Sequence, residues 1–281
     1  MRKHAASASL IAVGLIALAL GCDRRDPVAL KTSAQRSAGP SLSRSDDPSL
    51  SRSDDEDEGA GICAVAGLHG GYGFLREGTT TAGPLAAVGV MSYDGAGNWT
   101  ATQSLSRNGT FSFDETTSGT YTVNSDCSGK LFSAGQEIGR IMVIDGGKTV
   151  FQLDETAQSQ VIGRQKRAPR QCSNATLEGD FGFYRSGITA TGPLASVGRG
   201  HLDGAGNGSA VQTNIRNGVI NPDQVLDPTP YEVSADCSGK LFFGGREIGR
   251  LVVVDKGREF YIMSESAGNT VSGVERAVGK D

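Results

Sequence analysis

What this sequence lacks narrows its function before any motif is sought. After its first two dozen residues there is no apolar run near the ~18 residues that a membrane-spanning helix needs. Only three histidines occur in 281 residues, and no two cysteines are spaced as CxxC, so the commonest zinc-ligand arrangements are missing. No G-x-S-x-G elbow, phosphate-cradling P-loop or HExxH helix is present. Aromatics make up 6% of the chain, too few for an extended carbohydrate-stacking surface. Positive charge is not in excess: 27 Lys and Arg face 31 Asp and Glu, with a net charge of −4 and a pI near 5.5. The basic footprint of a nucleic-acid binder is therefore absent. No window of helical length repeats its apolar residues every 3.6 positions. Glycine, by contrast, is abundant at 40 residues, about twice its usual ~7% share. It has no G-X-Y period, which excludes collagen.

The N-terminus carries an address. Arg2, Lys3 and His4 precede an apolar stretch from Leu10 to Leu20, too short to cross ~30 Å of hydrocarbon and suited to an export signal. The ending Ala19-Leu20-Gly21-Cys22 resembles a bacterial lipobox. The resemblance implies removal of residues 1–21 and acylation of Cys22, with the lipid bilayer as a partner. The chain would then sit in the bacterial cell envelope, periplasmic or surface-exposed. Two or more acyl chains give a stable anchor at about 0.8 kcal/mol per buried CH₂. Residues 22–60 are rich in Ser, Asp and Arg, and SLSRSDD occurs at 41–47 and again at 49–55. Such a composition cannot bury enough apolar surface to order itself, so this stretch reads as a disordered acidic tether.

The strongest signal is an internal duplication. GPLAAVG at 83–89 returns as GPLASVG at 192–198, DGAGN at 94–98 returns at 203–207, and DCSGKLF at 126–132 returns at 236–242. The offset is 109 residues up to Gly218 and 110 from Tyr231 onward, so one residue was inserted within the proline-rich stretch between them. Over 63–109 and 121–145, 41 of 72 positions are identical to their counterparts. Two β units are expected, at 61–163 and 171–281, joined by a basic linker at 164–170. Each unit reads as antiparallel β: Arg140–Asp145, Gly146-Gly147 and Thr149–Leu153 form a hairpin pattern, repeated at 250–263. Frequent glycine within strands favours the bending of a small closed barrel, with a sandwich as the alternative.

Export permits disulfides. Apart from Cys22, the cysteines fall one pair per unit, and four cysteines allow three pairings. Duplication favours Cys63–Cys127 and Cys172–Cys237, because each unit once had to fold alone.

Neither copy keeps the other's histidine: His69 aligns with Glu178, and His201 with Ser92. DGAGN has one carboxylate where a calcium loop needs several, so Asp94 and Asp203 read as turn formers. No metal or cofactor is expected. The polar residues kept in both copies include Arg76/Arg185, Arg107/Arg216, Glu137/Glu247 and Arg140/Arg250. Arg76 interrupts an apolar strand, Gly73-Phe74-Leu75-Arg76. With Glu137, Arg140 and Arg107 it is the candidate for an inward-facing cluster that orients a ligand's carboxylate or phosphate. Arg185, Glu247, Arg250 and Arg216 are the same candidates in the second unit. A structural ion-pair network is the competing reading.

The set G-F-x-R, GPLA-x-VG, DG-x-GN, R-N-G and DCSGKL resembles a family of exported bacterial proteins whose motifs carry no assigned chemistry. Small barrels of the calycin and allene-oxide-cyclase kind are a fold analogy for it. The expectation is a non-enzymatic, membrane-tethered protein with duplicated barrels that binds a small apolar or amphipathic molecule or an envelope partner. A barrel-cavity isomerase or cyclase anchored by Arg76/Glu137 or Arg185/Glu247, and a purely structural surface lipoprotein, are the alternatives.

Overall fold

A computed structural model describes residues 63–279. The export signal, Cys22 and the tether lie outside the described residues. What is described is all β, and none of its helices is long and apolar enough to cross a membrane. In the first copy β1 (His69–Thr80), β2 (Gly83–Asp94), β3 (Asn98–Arg107), β4 (Thr110–Val123), β5 (Ser128–Ser133), β6 (Gln136–Ile144), β7 (Thr149–Asp154) and β8 (Gln160–Arg167) form a closed antiparallel barrel in sequence order. The hairpin expected at 140–153 is β6 and β7, turned by a short helical turn at Asp145–Gly147.

The second copy repeats the path as β9 (Glu178–Thr189), β10 (Gly192–Asp203), β11 (Gly208–Arg216), β12 (Val219–Leu226), β13 (Tyr231–Val233), β14 (Ser238–Phe243), β15 (Arg246–Val254), β16 (Glu259–Ser264) and β17 (Thr270–Ala277). It is a nine-stranded sheet with β12 and β13 at its two ends, not a second fully paired barrel. These two strands together correspond to the single strand β4. Pro228 and Pro230 lie between them, and proline has no N–H to donate to a ladder. The sheet nonetheless curls round on itself. Thr229 N–H donates to the Gly208 carbonyl at 2.7 Å, Tyr231 N–H to Gly206 at 2.9 Å, and Phe242 N–H to Pro230 at 2.8 Å.

Both expected disulfides are present, Cys63–Cys127 and Cys172–Cys237. The linker expected at 164–170 needs correction, because β8 runs through Arg167. Its alternate residues Val161 and Gln165 are fully buried in the barrel. Its outward cations meet the second copy instead: Lys166 pairs with Glu259 at 2.7 Å, and Arg164 donates to the Tyr184 hydroxyl at 2.9 Å.

Period-2 alternation gives each sheet two apolar faces here. Inward residues Tyr72, Phe74, Met91, Tyr93, Trp99, Leu131 and Ile141 fill one end of the first barrel. Leu85, Ala87, Leu105 and Val161 fill the other. Outward residues Leu75, Ala86 and Val88 of β1 and β2 pack on outward Val252, Val254, Tyr261, Met263 and Val274 of β15 to β17. The joint is tight: a Cβ on Gly73 would lie 2.4 Å from a Val254 methyl group. Its rim is polar, with Ser272 donating to Glu77 at 2.6 Å and Ser106 to the Asn269 carbonyl at 2.7 Å.

Candidate functional site

Between the two apolar ends of the first barrel lies a cavity of about 270 Å³. Phe74, Met91, Trp99, Ala101, Leu131 and Ile138 supply its apolar wall, and Arg76, Gln103, Gln152 and Asp154 its polar belt. Register places Arg76 one inward step beyond Phe74, opposite Ala87 of β2 and Gly163 of β8. Gly163 is what admits the arginine, because a Cβ there would stand 2.9 Å from Arg76 Cγ.

A single line of hydrogen bonds organises the belt. Tyr93 donates to Gln165 at 2.9 Å, Gln165 to Gln152 at 2.8 Å, and Gln152 to Asp154 at 2.8 Å. Arg76 donates to the other Asp154 oxygen at 2.7 Å and, from its second terminal nitrogen, to Gln103 at 3.2 Å. Every donor in the first half points towards Asp154, so that each carboxylate oxygen accepts one N–H, from Gln152 and from Arg76. Burial pushes the Tyr93 phenol well above its usual range, so it stays a neutral donor. Arg76 Nε is buried and has no partner among the described residues.

The second copy keeps this arrangement while changing its parts. Arg185 sits opposite Ser196 and Gly273, where a Gly273 Cβ would lie 2.7 Å from Arg185 Cγ. Its guanidinium stacks 4.5 Å over the Phe183 ring. The carboxylate has moved, however. Asp154 is Ser264 in the second copy and Gln165 is Glu275, and Arg185 pairs with Glu275 at 2.6 Å. Arg185 Nε is again buried without a partner, as is Ser196 Oγ.

Of the sequence candidates, only Arg76 and Arg185 line an interior. Glu137 and Arg140 stand on the outer face of the first barrel, where Glu137 pairs with Lys130 at 2.7 Å and Arg140 with Glu155 at 2.9 Å. The Lys130 hydrogen bond is the chief cause that holds the Glu137 carboxyl below its usual range. Glu247 and Arg250 repeat this cluster with Lys240 and Glu265, and Arg250 also reaches Asp114 of the first copy at 3.3 Å. Arg107 and Arg216 are exposed at strand ends. The pairs Arg76/Glu137 and Arg185/Glu247 are therefore not formed. The reason is the phase of β6 and β15, whose inward residues are Gly139 and Ile141, and Gly249 and Leu251, leaving the charged residues outside. The residues missed were Gln152, Asp154 and Gln165; Gln103, matched by Gln212, is one of the polar residues that both copies keep. Alternation through Val150, Gln152 and Asp154 was the available signal: two polar side chains share the phase of a buried valine.

The DGAGN turns behave as turn formers. Asp203 accepts from Ala205 N–H, Asn207 N–H and Asn207 Nδ2, which lower its carboxyl to about 2. Asp94 is held in the same way by Ala96 and Asn98. His201 lies 2.9 Å from Asp180 on the surface, and His69 lies near Arg167. Among the described residues, no group of three or more His, Cys, Asp or Glu is placed to hold a metal ion.

No family model matches the chain, and no curated protein matches it. Among solved structures it is similar to kievitone hydratase from Nectria haematococca, at 10% identity and a TM-score of 0.23 over 77% of this chain and 92% of that one. It is also similar to a protein of unknown function from the DUF3598 family of Nostoc punctiforme, at 13% identity and a TM-score of 0.24 over 78% and 99%. Similarity at this level says nothing about what this chain does.

Proposed function

We propose that this chain is an exported, envelope-tethered binding protein, anchored through acylated Cys22, whose first barrel holds a small amphipathic molecule. The observation that carries the reading is the Arg76 Nε–H, buried at a largely apolar cavity with no partner among the described residues. A buried donor left unpaired costs roughly 1–3 kcal/mol. A ligand that brings a carbonyl, carboxylate or sulfonyl oxygen recovers that cost while its apolar body lies against Phe74, Met91 and Trp99. A cavity of about 270 Å³ is close to the lower end of ligand pockets, which run from about 300 to 1,000 Å³, so the ligand is small. Binding is favoured over proton-transfer chemistry. Asp154, the carboxylate among the lining residues, has one oxygen held by Arg76 and the other by Gln152. Two disulfides suit the oxidising compartment to which an export signal leads.

Trp99, the single tryptophan, lines the cavity and provides the assay. Titration with straight-chain carboxylates of increasing length should change its emission saturably, with affinity peaking at one length. Arg76→Met should weaken binding at least tenfold, since a hydrogen bond to a charged group contributes about 1.5–3 kcal/mol. A series that leaves Trp99 unmoved, together with native mass spectrometry that shows no retained ligand, rejects the binding reading. The anchor is tested separately: Cys22→Ser should shift the chain from the membrane fraction to the soluble one.

A further inference from the structure

Two copies of one unit meet in this chain through different faces. The first copy offers the outward side of β1 and β2, centred on Leu75, Ala86 and Val88. The second offers the outward side of β15 to β17, centred on Val252, Tyr261 and Met263. Because the units are homologous, each also carries the face its sister uses, and among the described residues neither of those is covered beyond the contact of Arg164 with Tyr184 at one edge. On the first copy, Met142, Phe151, Leu153 and Ile162 occupy the positions of Val252, Tyr261, Met263 and Ser272, and all four are exposed. On the second copy, Ala195, Val197 and Ile220 occupy the positions of Ala86, Val88 and Phe111, again exposed. Val197 and Phe151, which match buried Val88 and Tyr261, are 62% and 52% exposed. Divergence has kept most of these positions apolar: Ser272 is matched by Ile162 on one face and Ser106 by exposed Ile215 on the other, while Arg164 in the place of Val274 and Arg199 in that of Val90 are the charged exceptions.

We propose that a second copy of this chain covers them: the β9–β10 face of one molecule docks on the β6–β8 face of the next, repeating between chains the joint that exists within one. Such a head-to-tail contact is heterologous, so it leaves one free face of each kind unless it closes into a ring. The polar cross-links of the internal joint are not reproduced. Ser186 stands in the place of Glu77, and Thr149 in that of Glu259. The contact between chains is therefore mainly apolar and weaker than the internal one.

The test uses the mature chain, residues 22–281 with Cys22→Ser, so that no acyl chain contributes to association. Sedimentation velocity should show reversible association that depends on concentration. Phe151→Glu alone and Val197→Glu alone should each be monomeric, with far-UV circular dichroism unchanged, because both side chains point into solvent. An equimolar mixture of the two variants has one intact face of each kind, and should form a dimer and nothing larger. Three results overturn the proposal: a parent chain that stays monomeric to ~1 mM, a variant that associates as the parent does, or a mixture that stays monomeric. The second result would indicate a symmetric contact of the face that variant keeps with itself.

Discussion

The migrated carboxylate makes a quantitative prediction. The first barrel pairs its interior arginine with Asp154 on β7, and the second pairs its own with Glu275 on β17, the counterpart of Gln165 on β8. Asp154→Ser in the first barrel removes the partner and leaves the guanidinium unpaired. Breaking a fully buried pair costs roughly 3–5 kcal/mol. The Arg76 and Asp154 side chains are 24% and 10% exposed, so water recovers a part, and about 2–3 kcal/mol is expected. Adding Gln165→Glu recreates the second barrel's solution. Asp154→Ser/Gln165→Glu should then return to within about 1 kcal/mol of the parent, because the pair is re-formed from the neighbouring strand. The assay is urea unfolding followed by Trp99, which is 3% exposed and reports the first barrel alone. If Asp154→Ser proves neutral, or Gln165→Glu recovers nothing, the two ion pairs are not equivalent solutions to one requirement.

Three other outcomes follow from the structure. Ala101→Leu places a larger side chain in the cavity and should abolish binding of the carboxylate series without loss of stability, as judged by Trp99 quenching and thermal melting. Each disulfide closes a loop of 64 or 65 residues, so replacing either pair with serines should cost about 4 kcal/mol in the chain-entropy model. The Cys63/Cys127 loss should appear in Trp99 fluorescence, and the Cys172/Cys237 loss only in circular dichroism. Finally, the Asp203 carboxyl is held down at about 2 by Asn207 and two further backbone donors. A depressed carboxyl stabilises the fold above its unfolded value, and that contribution fades as pH falls from about 4 through about 2. Asn207→Ala should raise the carboxyl's midpoint in an NMR titration.

Much of the architecture was legible because duplication prints every constraint twice. The disulfide partners followed from one cysteine pair per unit, and the β6–β7 hairpin from its glycines. The split of β4 into β12 and β13 was only half legible. The prolines were visible, but not that the chain would keep its course around them. The site was less legible still. Arg76 stood out as a charge in an apolar strand, yet its partner lies 78 residues away. A search for polar residues shared by both copies selects what each fold needs in the same place. It therefore found Glu137 and Arg140, which are shared because the outer-face cluster is shared. It passed over Asp154 and Glu275, because the requirement they meet is to neutralise one guanidinium, and either of two adjacent strands can meet it.

The interrupted strand of the second sheet has a consequence for its dynamics. In the first barrel β4 runs unbroken along β3 before its last four residues pair with β5. In the second, that stretch is broken around Pro228 and Pro230 and is fastened to β11 by the Thr229 N–H bond to Gly208. The Thr229 amide proton should exchange with solvent long before that of its counterpart Gly119, which lies within the continuous β3–β4 ladder. The two halves of a duplicated chain would then differ in how firmly one wall is held, the interrupted strand giving the second copy a hinge that the first does not have.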